Sequence, residues 1–184
     1  MKYSKNLTNI GFMSIKVASS WLDRIDLKIL TDLQADGRMT NVELASRVGI
    51  SAPPCLRRVR ALEEAGIISG YRALLDAGRL GYPLTAFAMV GLTSQAESDL
   101  LAFEARVAAW PLVRECTMLS GEIDYMLKCV APDLQSFQDF VIRTLTAAPN
   151  VASVKTALAI RTGKAEAMVP LPAPGASVPG GGES

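Results

Sequence analysis

Residues 40–66 contain the feature that most restricts how this chain can fold, which is a pair of short amphipathic helical stretches separated by a glycine. Gly49 follows Ala45 by four positions. The small alanine allows the two helices to cross closely, and the glycine can adopt the left-handed conformation that ends the first helix. Ser51 stands where an N-cap belongs, and its hydroxyl is expected to accept a backbone N–H of the next turn. Two prolines in that turn also mark a helix start. This pattern predicts a helix-turn-helix.

The second helix of this motif is predicted to present arginines to solvent. On a helical wheel its apolar residues share one face, Arg57 points almost oppositely, and Arg58 and Arg60 flank it. With Arg47, residues 44–62 hold four arginines and no acidic residue, a local charge of +4 in a chain whose net charge is +1. This excess is typical of phosphate binding. Solvated arginines on an ordinary helix pair are the alternative, but spacing, cap and charge together favour a unit that reads DNA. The predicted apolar face consists of Cys55, Leu56, Val59 and Leu62.

The composition restricts the chemistry available to the chain. Its 184 residues suit one domain or two small ones, and 49% hydrophobic content with 20% charged residues is typical of a globular protein. Histidine is absent, which excludes Ser-His-Asp and Cys-His sites and removes the commonest metal ligand. Cys55, Cys116 and Cys129 form no Cys-x-x-Cys pair and are expected to be reduced, buried thiols. We therefore expect no catalytic residues, no metal, no cofactor and no enzymatic activity.

The two ends of the chain are predicted to lie outside the folded domains. Residues 1–20 lack a sustained apolar core, so they predict a flexible arm rather than a secretory signal or membrane anchor. The longest uncharged run, residues 80–96, is interrupted by Gly81 and falls short of a membrane span. No membrane partner is expected. Residues 165–184 are rich in Ala, Pro and Gly and predict a disordered tail. The sequence leaves open whether Met1 or Met13 is the true start.

A supporting helix precedes the helix-turn-helix. Its apolar residues recur at helical spacing from Leu22 to Leu33, Asp23 stands at the N-cap position, and Gly37 follows its end. With helices at 40–48 and 51–65 it completes a three-helix unit over residues 21–66. Residues 67–75 favour β-structure and predict a strand or short wing within a linker that spans residues 67–83.

The rest of the chain changes its hydrophobic period and predicts a second domain over residues 84–164. Strands and helices alternate in the order β-α-β-β-α-β, which is the ferredoxin-like arrangement, an antiparallel sheet with both helices on one face. The other, apolar face would be left open, which predicts a dimer. The fold class is therefore α+β. The predicted strands are residues 84–92, 113–119, 125–130 and 151–160, and the predicted helices are residues 97–109 and 134–145.

Several short motifs in this order resemble one known family. The motifs are Leu22-Asp23-Arg24-Ile25-Asp26, Asn41-Val42-Glu43-Leu44-Ala45, Gly49-Ile50-Ser51, Pro54-Cys55-Leu56-Arg57-Arg58-Val59-Arg60, Leu62-Glu63, Gly66-Ile67, Gly70-Tyr71 and Ser120-Gly121-Glu122-Ile123-Asp124-Tyr125. From residue 22 to about residue 170, the chain resembles the Lrp/AsnC (feast/famine) family of bacterial and archaeal transcriptional regulators. The resemblance implies a cytoplasmic, nucleoid-associated homodimer, often assembled into octamers, that binds and bends double-stranded promoter DNA.

The resemblance also implies a small amino-acid effector, held between ferredoxin-like (RAM) domains. The loop with Gly121, Glu122 and Asp124 would line its site, and Leu134 and Thr156 would approach from a neighbouring subunit. Backbone N–H groups beside the glycine can hold a carboxylate, and either acid can pair with an ammonium group.

This loop departs from the family pattern, which is usually Gly-Asp-Tyr/Phe-Asp. Here Glu122 and Ile123 replace the first acid and the aromatic residue, so the pocket shape is expected to differ. A plain hairpin turn is the alternative interpretation of the loop.

The family architecture suggests how DNA would be read. Two copies of the second helix would enter successive major grooves about one helical turn apart, with Arg57 on a base and the other arginines on phosphates. An architectural, nucleoid-type DNA-binding protein without an effector is the alternative, and a small-molecule enzyme lacks the residues it would need. The predicted DNA contacts are Arg47, Ser51, Ala52, Pro53, Arg57, Arg58 and Arg60.

Overall fold

The structure, a computed structural model, describes residues 22–165 and 168–171. The chain divides into two units between Ala73 and Leu74, and residues 168–171 belong to the first unit. The predicted N-terminal arm and most of the predicted C-terminal tail lie outside the described residues. Within residues 168–171, Val169 hydrogen-bonds to Gln34 and Leu171 packs against the core of the first unit, which differs from the prediction of a disordered tail for that segment.

In the part of the first unit that the structure describes, there are three helices, as predicted. Capping boxes begin the first two: Asp23 with Asp26, and Thr40 with Glu43. In each, the cap side chain accepts a backbone N–H of the first turn and the later acid accepts the cap's own N–H. The helices are α1 (Arg24–Ala35), α2 (Asn41–Val48) and α3 (Ala52–Glu64). Their buried core comprises Ile29, Leu30, Leu44, Ala45, Val48, Cys55 and Leu62.

Gly49 forms the predicted hinge between α2 and α3. Its φ of 79° and ψ of 32° lie in the left-handed region, and its N–H donates to the carbonyl of Ala45 at 3.0 Å. A non-glycine residue would meet a steric penalty in this conformation, because its Cβ would crowd the following carbonyl oxygen. The glycine therefore allows α2 to end and the chain to turn into α3 within three residues.

The strand predicted at residues 67–75 is absent. The N–H groups of Ile67 and Ile68 instead donate to the carbonyl of Leu62, at 3.0 and 3.2 Å, and both isoleucines pack against the core of the first unit. A strand needs a hydrogen-bonded neighbour, and among the residues that the structure describes no strand pairs with residues 67–75. The β-propensity of this segment was therefore outweighed by the capping and burial available at the end of α3.

The second unit has the predicted β-α-β-β-α-β order. Its sheet has the strand order β2-β3-β1-β4, and every neighbouring pair is antiparallel. The predicted helix at 134–145 is divided, because its second part widens into a π-helical turn, where the N–H of Thr146 donates to the carbonyl of Val141 at 2.8 Å. The elements are β1 (Leu84–Leu92), α4 (Glu97–Ala108), β2 (Val113–Met118), β3 (Tyr125–Ala131), α5 (Leu134–Phe140), the π-helical turn (Val141–Leu145) and β4 (Val151–Leu158).

The helices cover one face of this sheet, and the opposite face differs in its polarity. The alternation along β1 buries Ala86, Ala88 and Val90 in a core with aromatic residues of α4 and α5. The opposite face is mixed rather than uniformly apolar, since Lys128 and Glu115 form an ion pair there at 2.8 Å. Its apolar members are Phe87, Met89, Met126 and Val130.

The three cysteines do not share one environment. Cys55 and Cys129 are buried, as predicted, whereas Cys116 is exposed. Its strand, β2, lies at the edge of the sheet, which leaves its side chains less covered. Burial raises the pKa of the Cys129 thiol to about 11, so this side chain is a neutral thiol at physiological pH.

Candidate functional site

The outer surface of α3 is the first candidate site. Arg57 and Arg60 are exposed on it, as is Pro53, while Ala52 is half-buried. Leu56 is 38% exposed, contrary to the prediction that it lies on the apolar face. The difference arises because the buried side of α3 is centred on Cys55, Val59 and Leu62. Leu56 lies at the edge of that side, next to the exposed arginines.

The first turn of α3 lacks the predicted serine cap. Ser51 occupies the N-cap position, but its hydroxyl makes no capping hydrogen bond. An N-cap side chain accepts from the second or third residue of the helix, and here these are Pro53 and Pro54, which have no N–H to donate. The start of α3 is held from α2 instead, because Nδ2 of Asn41 donates to the carbonyl of Ala52 at 2.8 Å.

Arg58 does not point outward with the other arginines. Its Nη1 lies 2.8 Å from Oδ2 of Asp23 and 2.8 Å from Oδ1 of Asp26, so it joins α3 to the beginning of α1. The hydrogen bond to Asp26 raises the pKa of Arg58, and this Asp26 side chain is only 8% exposed. The structure therefore assigns Arg58 to the folding of this unit, and we remove it from the predicted phosphate contacts.

The same ion pair affects Asp23. Burial opposes its ionisation, but the backbone N–H of Asp26 and the Arg58 guanidinium outweigh this and lower the pKa of Asp23. The capping box of α1 and the ion pair to α3 thus share one pair of carboxylates. Sequence reasoning treated the cap and the arginine separately, because a sequence separation of 32 residues between Asp26 and Arg58 hides their proximity.

Arg47 is exposed near the end of α2, while its backbone carbonyl accepts from Nζ of Lys28. A lysine at this place stabilises the helix end, where unpaired carbonyl groups carry partial negative charge. Acidic residues follow at the far end of α3, where Glu63 accepts from the hydroxyl of Tyr71 at 3.0 Å. Positive charge is therefore concentrated over the middle of α3, and negative charge marks its end.

The loop between β2 and β3 is the second candidate site. Gly121 and Glu122 are exposed there, but Asp124 is only 8% exposed. One carboxylate oxygen of Asp124 accepts from the N–H of Leu92 and the other from Nε2 of Gln95, both at 2.6 Å. Asp124 is therefore committed to holding the end of β1 beside this loop, which argues against the predicted ammonium contact and leaves Glu122 as the loop's exposed carboxylate.

A neighbouring loop is organised by residues that sequence reasoning missed. Asn150 exchanges two hydrogen bonds with the backbone of Ser94, at 2.8 and 2.9 Å, and this asparagine has a φ of 72°. Asparagine tolerates left-handed backbone better than most residues, and the Pro149-Asn150 pair before β4 is a recognisable turn signal. The long-range partner of such a turn, however, is not visible in a sequence.

Leu134 and Thr156 lie away from this loop within one chain. Leu134 is exposed at the start of α5, beyond the far end of β3, and β3 has seven residues. Seven residues of extended chain span roughly 24 Å. Thr156 is exposed on β4, opposite Ala88 of β1. The structure does not bring these predicted effector residues together within a single subunit.

A shallow pocket of about 310 Å³ lies between α4 and β2, away from the predicted effector residues. On one side of it Glu104 accepts from the hydroxyl of Tyr125 at 2.8 Å. Its lining residues are Glu104, Val107, Ala108, Val113, Arg114, Glu115 and Cys116.

Within residues 22–165 and 168–171, no three His, Cys, Asp or Glu side chains are grouped so that they could hold a metal ion. Among the helices of these same residues, none has the length and apolar character needed to cross a membrane.

A helix-turn-helix unit with exposed arginines, joined to a ferredoxin-like unit, is the architecture of a two-domain DNA-binding transcriptional regulator. Comparison with protein families agrees for each unit. Residues 22–69 match the winged helix-turn-helix DNA-binding family, and residues 85–169 match the Lrp/AsnC ligand binding domain.

Relatives of known name give the same result over most of the chain. A leucine-responsive regulatory protein of Rhizobium meliloti is 68% identical over 140 residues, which cover 76% of this chain and 90% of that protein. The Bkd operon transcriptional regulator of Pseudomonas aeruginosa is 46% identical, over 77% of this chain and 92% of the relative. The chain therefore belongs to the Lrp/AsnC family of transcriptional regulators and is not an enzyme.

Solved structures share the fold. A Neisseria meningitidis transcriptional regulator, solved in complex with L-methionine, is 40% identical with a TM-score of 0.77, over 81% of this chain and 96% of that one. An AsnC family transcriptional regulator from Agrobacterium tumefaciens is 34% identical with a TM-score of 0.76, over 81% and 97% of the two chains. These similarities confirm the predicted fold class.

Proposed function

We propose that this regulator reads DNA through the outer surface of α3, as a symmetric oligomer, and that an amino acid bound to its second unit changes that binding. The observation that carries the proposal is the division of the arginines: Arg57 and Arg60 are exposed on α3, whereas Arg58 is half-buried and paired with Asp23 and Asp26. A DNA-bound protein of this kind would act on the nucleoid in the cytoplasm.

The beginning of α3 is the part that would enter the major groove. The acids at its far end would be repelled by phosphates, so the helix would insert with its first turns leading. Arg57 would hydrogen-bond a guanine edge, and Leu56 would contact a thymine methyl group beside it. Arg60 and Arg47 would contact phosphates on either side. The proposed interface comprises Arg47, Ser51, Ala52, Pro53, Leu56, Arg57 and Arg60.

The proposal is tested with sites selected from a random DNA pool by the full-length protein. Arg57→Ala should cost roughly 1 to 3 kcal/mol on a selected duplex and much less on a scrambled one, because it removes a base contact. Arg60→Ala should weaken both duplexes alike and reduce the salt slope by about 1. Arg106→Ala, an exposed arginine on α4, is the matched control and should change neither affinity.

Equal losses on both duplexes for Arg57→Ala would remove Arg57 as the base-reading residue. If the wild-type protein itself binds selected and scrambled duplexes equally, the architectural alternative replaces sequence-specific regulation.

A dimer would be formed through the open face of the sheet in the second unit. Phe87, Met89, Met126 and Val130 give that face an apolar area, and the Lys128–Glu115 pair gives it polarity. Two-fold symmetry would place two copies of α3 on one side of the duplex and favour a roughly palindromic site. Further association up to an octamer is tested by sedimentation, in which a purely monomeric protein would contradict the proposal.

The effector site would use the loop between β2 and β3 together with a second copy of the chain. Backbone N–H groups at Gly121 would hold the carboxylate of a small amino acid, and Glu122 would hold its ammonium group. Leu134 and Thr156 would come from a neighbouring copy, since one chain separates them from the loop. The L-methionine found with the Neisseria meningitidis relative supports an amino acid as the class of ligand.

Calorimetry with each of the twenty amino acids tests this site. We expect heat from at least one of them, and loss of that heat in Glu122→Gln with the fold retained. Glu64→Gln is the control, because Glu64 is exposed on α3 in the first unit, which holds none of the proposed effector residues, and the change should leave binding intact. Absence of heat and of any change in assembly size with all twenty would refute the effector proposal.

A further inference from the structure

The segment at residues 168–171 is attached to α1 by a side-chain amide. Nε2 of Gln34 donates to the carbonyl of Val169 at 3.2 Å, and Oε1 of Gln34 accepts from the N–H of Val169 at 2.7 Å. Both backbone polar groups of one residue are thus paired by a single glutamine, across a sequence separation of 135 residues. Neighbouring β-strands pair through the same two kinds of hydrogen bond, to an N–H group and to a carbonyl group. Here one side-chain amide provides both partners.

An apolar anchor follows two residues later. Leu171 is half-buried and packs against the core of the first unit. Val169 is 65% exposed and Met168 is 51% exposed, so the segment is held by the backbone groups of Val169 and by the side chain of Leu171. Pro170 favours extended backbone at Val169, which lowers the entropy lost on docking.

We propose that the DNA-binding unit has a docking site for an extended Val-Pro-Leu segment, formed by Gln34 and the adjoining apolar surface and occupied by residues 169–171 of the same chain. The consequence concerns connectivity. The second unit spans residues 74–165, so docking of residues 169–171 ties it to the DNA-binding unit at both of its ends. The residues after β4 then form a second connection through which a ligand-induced change in the second unit reaches α1.

The position of the site on α1 gives this connection a route to the DNA-binding surface. The same helix carries Asp26, which holds Arg58 of α3 at 2.8 Å. Asp26 lies in the first turn of α1, and Gln34 lies in its last turn. A segment that restrains the last turn of α1 therefore acts on the same helix that holds Arg58 of α3.

Docking is tested on the full-length protein by residue-resolved hydrogen exchange. The Val169 amide should exchange at least tenfold more slowly than in a synthetic peptide of residues 165–184, because it donates to Gln34. Gln34→Ala and Leu171→Ala should each abolish that protection. Met168→Ala, which changes an exposed neighbour, is the matched control and should retain it. A Val169 amide that exchanges as fast as in the peptide would overturn the docking site.

Mixed oligomers show whether the segment docked at Gln34 belongs to the same chain or to a neighbouring copy. Chains carrying Gln34→Ala and chains carrying Leu171→Ala are combined after unfolding and refolding together. Docking within one chain predicts that protection stays absent in the mixture, since every chain lacks half of the site. Recovery of protection in part of the mixture would overturn the same-chain assignment and show that the segment docks on a neighbouring copy.

The second connection rests on the proposed function, and its test separates the two. We expect Leu171→Ala to reduce the amino-acid-induced change in DNA affinity at least threefold, with DNA affinity in the absence of amino acid within twofold of wild type. An unchanged response in a variant that has lost Val169 protection would refute the second connection while leaving the proposed function intact. Wild-type protein that neither binds selected DNA nor responds to any amino acid would refute the proposed function instead, and the exchange experiment would still report on docking.

Discussion

Arg57 and Arg58 are adjacent in the sequence, yet the structure predicts opposite effects for their replacement. Arg58→Met keeps the apolar stem of the side chain and removes the charge that bridges Asp23 and Asp26. Asp26, with a side chain only 8% exposed, would retain a single hydrogen bond, from the N–H of Asp23 at 3.1 Å. The first unit should therefore lose stability, whereas Arg57→Ala should leave its stability unchanged and affect DNA alone.

The magnitude follows from the contacts. A hydrogen bond to a charged group contributes about 1.5 to 3 kcal/mol when removal leaves its partner unsatisfied. Arg58 is 33% exposed and Asp23 is 50% exposed, so water compensates for part of the loss. We therefore expect Arg58→Met to lower the free energy of unfolding of the first unit by about 1 to 2 kcal/mol, a factor of about 5 to 30 in the unfolding equilibrium.

Hydrogen exchange of the full-length protein measures this loss, because the amides of each unit report the stability of that unit separately. Amides of α1 and α3 should exchange about 5 to 30 times faster in Arg58→Met, and amides of β1 and β3 should be unchanged. The effect should also depend on pH. Since the folded pKa of Asp23 is lowered, its contribution is present above the unfolded pKa, near 4, and is lost as the pH falls through the lower, folded value.

The wild-type unit should therefore lose stability in that acidic range, and Arg58→Met should lose less of it. Unchanged exchange in α1 and α3, together with a loss of DNA affinity as large as that of Arg57→Ala, would refute the reasoning and return Arg58 to the DNA interface.

Three other substitutions test the backbone contacts that shape the two units. Asp124→Ala removes the acceptor of two hydrogen bonds at 2.6 Å and should lower the stability of the second unit by about 2 kcal/mol, measured by thermal denaturation, with a smaller loss for Asp124→Asn, which retains an acceptor. Gly49→Ala should cost about 1 to 2 kcal/mol in the first unit, measured by exchange of α2 amides, because its φ of 79° is strained for a residue with a Cβ although no atom crowds that position. Gly91→Ala would place a methyl group 2.7 Å from Oγ of Ser153 and should cost about 1 to 3 kcal/mol, and Ser153→Gly in the same chain should restore most of the loss.

Each of these has an outcome that would contradict it. An Asp124→Ala protein as stable as wild type would show that the carboxylate does not hold the end of β1. Equal losses for Gly49→Asn and Gly49→Ala would argue against left-handed strain, because asparagine tolerates that region better. Failure of Ser153→Gly to rescue Gly91→Ala would place the clash elsewhere.

Sequence reasoning succeeded where the interactions are local along the chain and failed where they join residues that are distant in the sequence. Gly49 was identified as the hinge because its role depends on local backbone conformation, which neighbouring residues reveal. The boundaries of β1 were predicted correctly because a short apolar run of this length is also a local signal. A strand or short wing was predicted at residues 67–75, where the structure has no strand, because a strand exists only with a partner and propensity does not supply one.

The same distinction applies to the candidate sites. Exposure of Arg57 and Arg60 was predictable from helical period, but the diversion of Arg58 required knowing that α1 begins beside α3. Asp124 was predicted to face a ligand because the family resemblance places its loop at the effector site and a carboxylate can pair with an ammonium group. Its carboxylate is instead taken by Leu92 and Gln95, 32 and 29 residues away.

The sequence by itself determined the helix-turn-helix, the β-α-β-β-α-β order and the family, because caps, hinges and hydrophobic periods act over a few neighbouring residues. Only the tertiary structure decided which charged side chains are available to a partner. Burial makes an unpaired carboxylate costly, so Asp26 and Asp124 take the nearest donors in space, whatever their distance along the chain. The docking of Val169 on Gln34 was decided in the same way, by a contact across 135 residues that no local pattern announces.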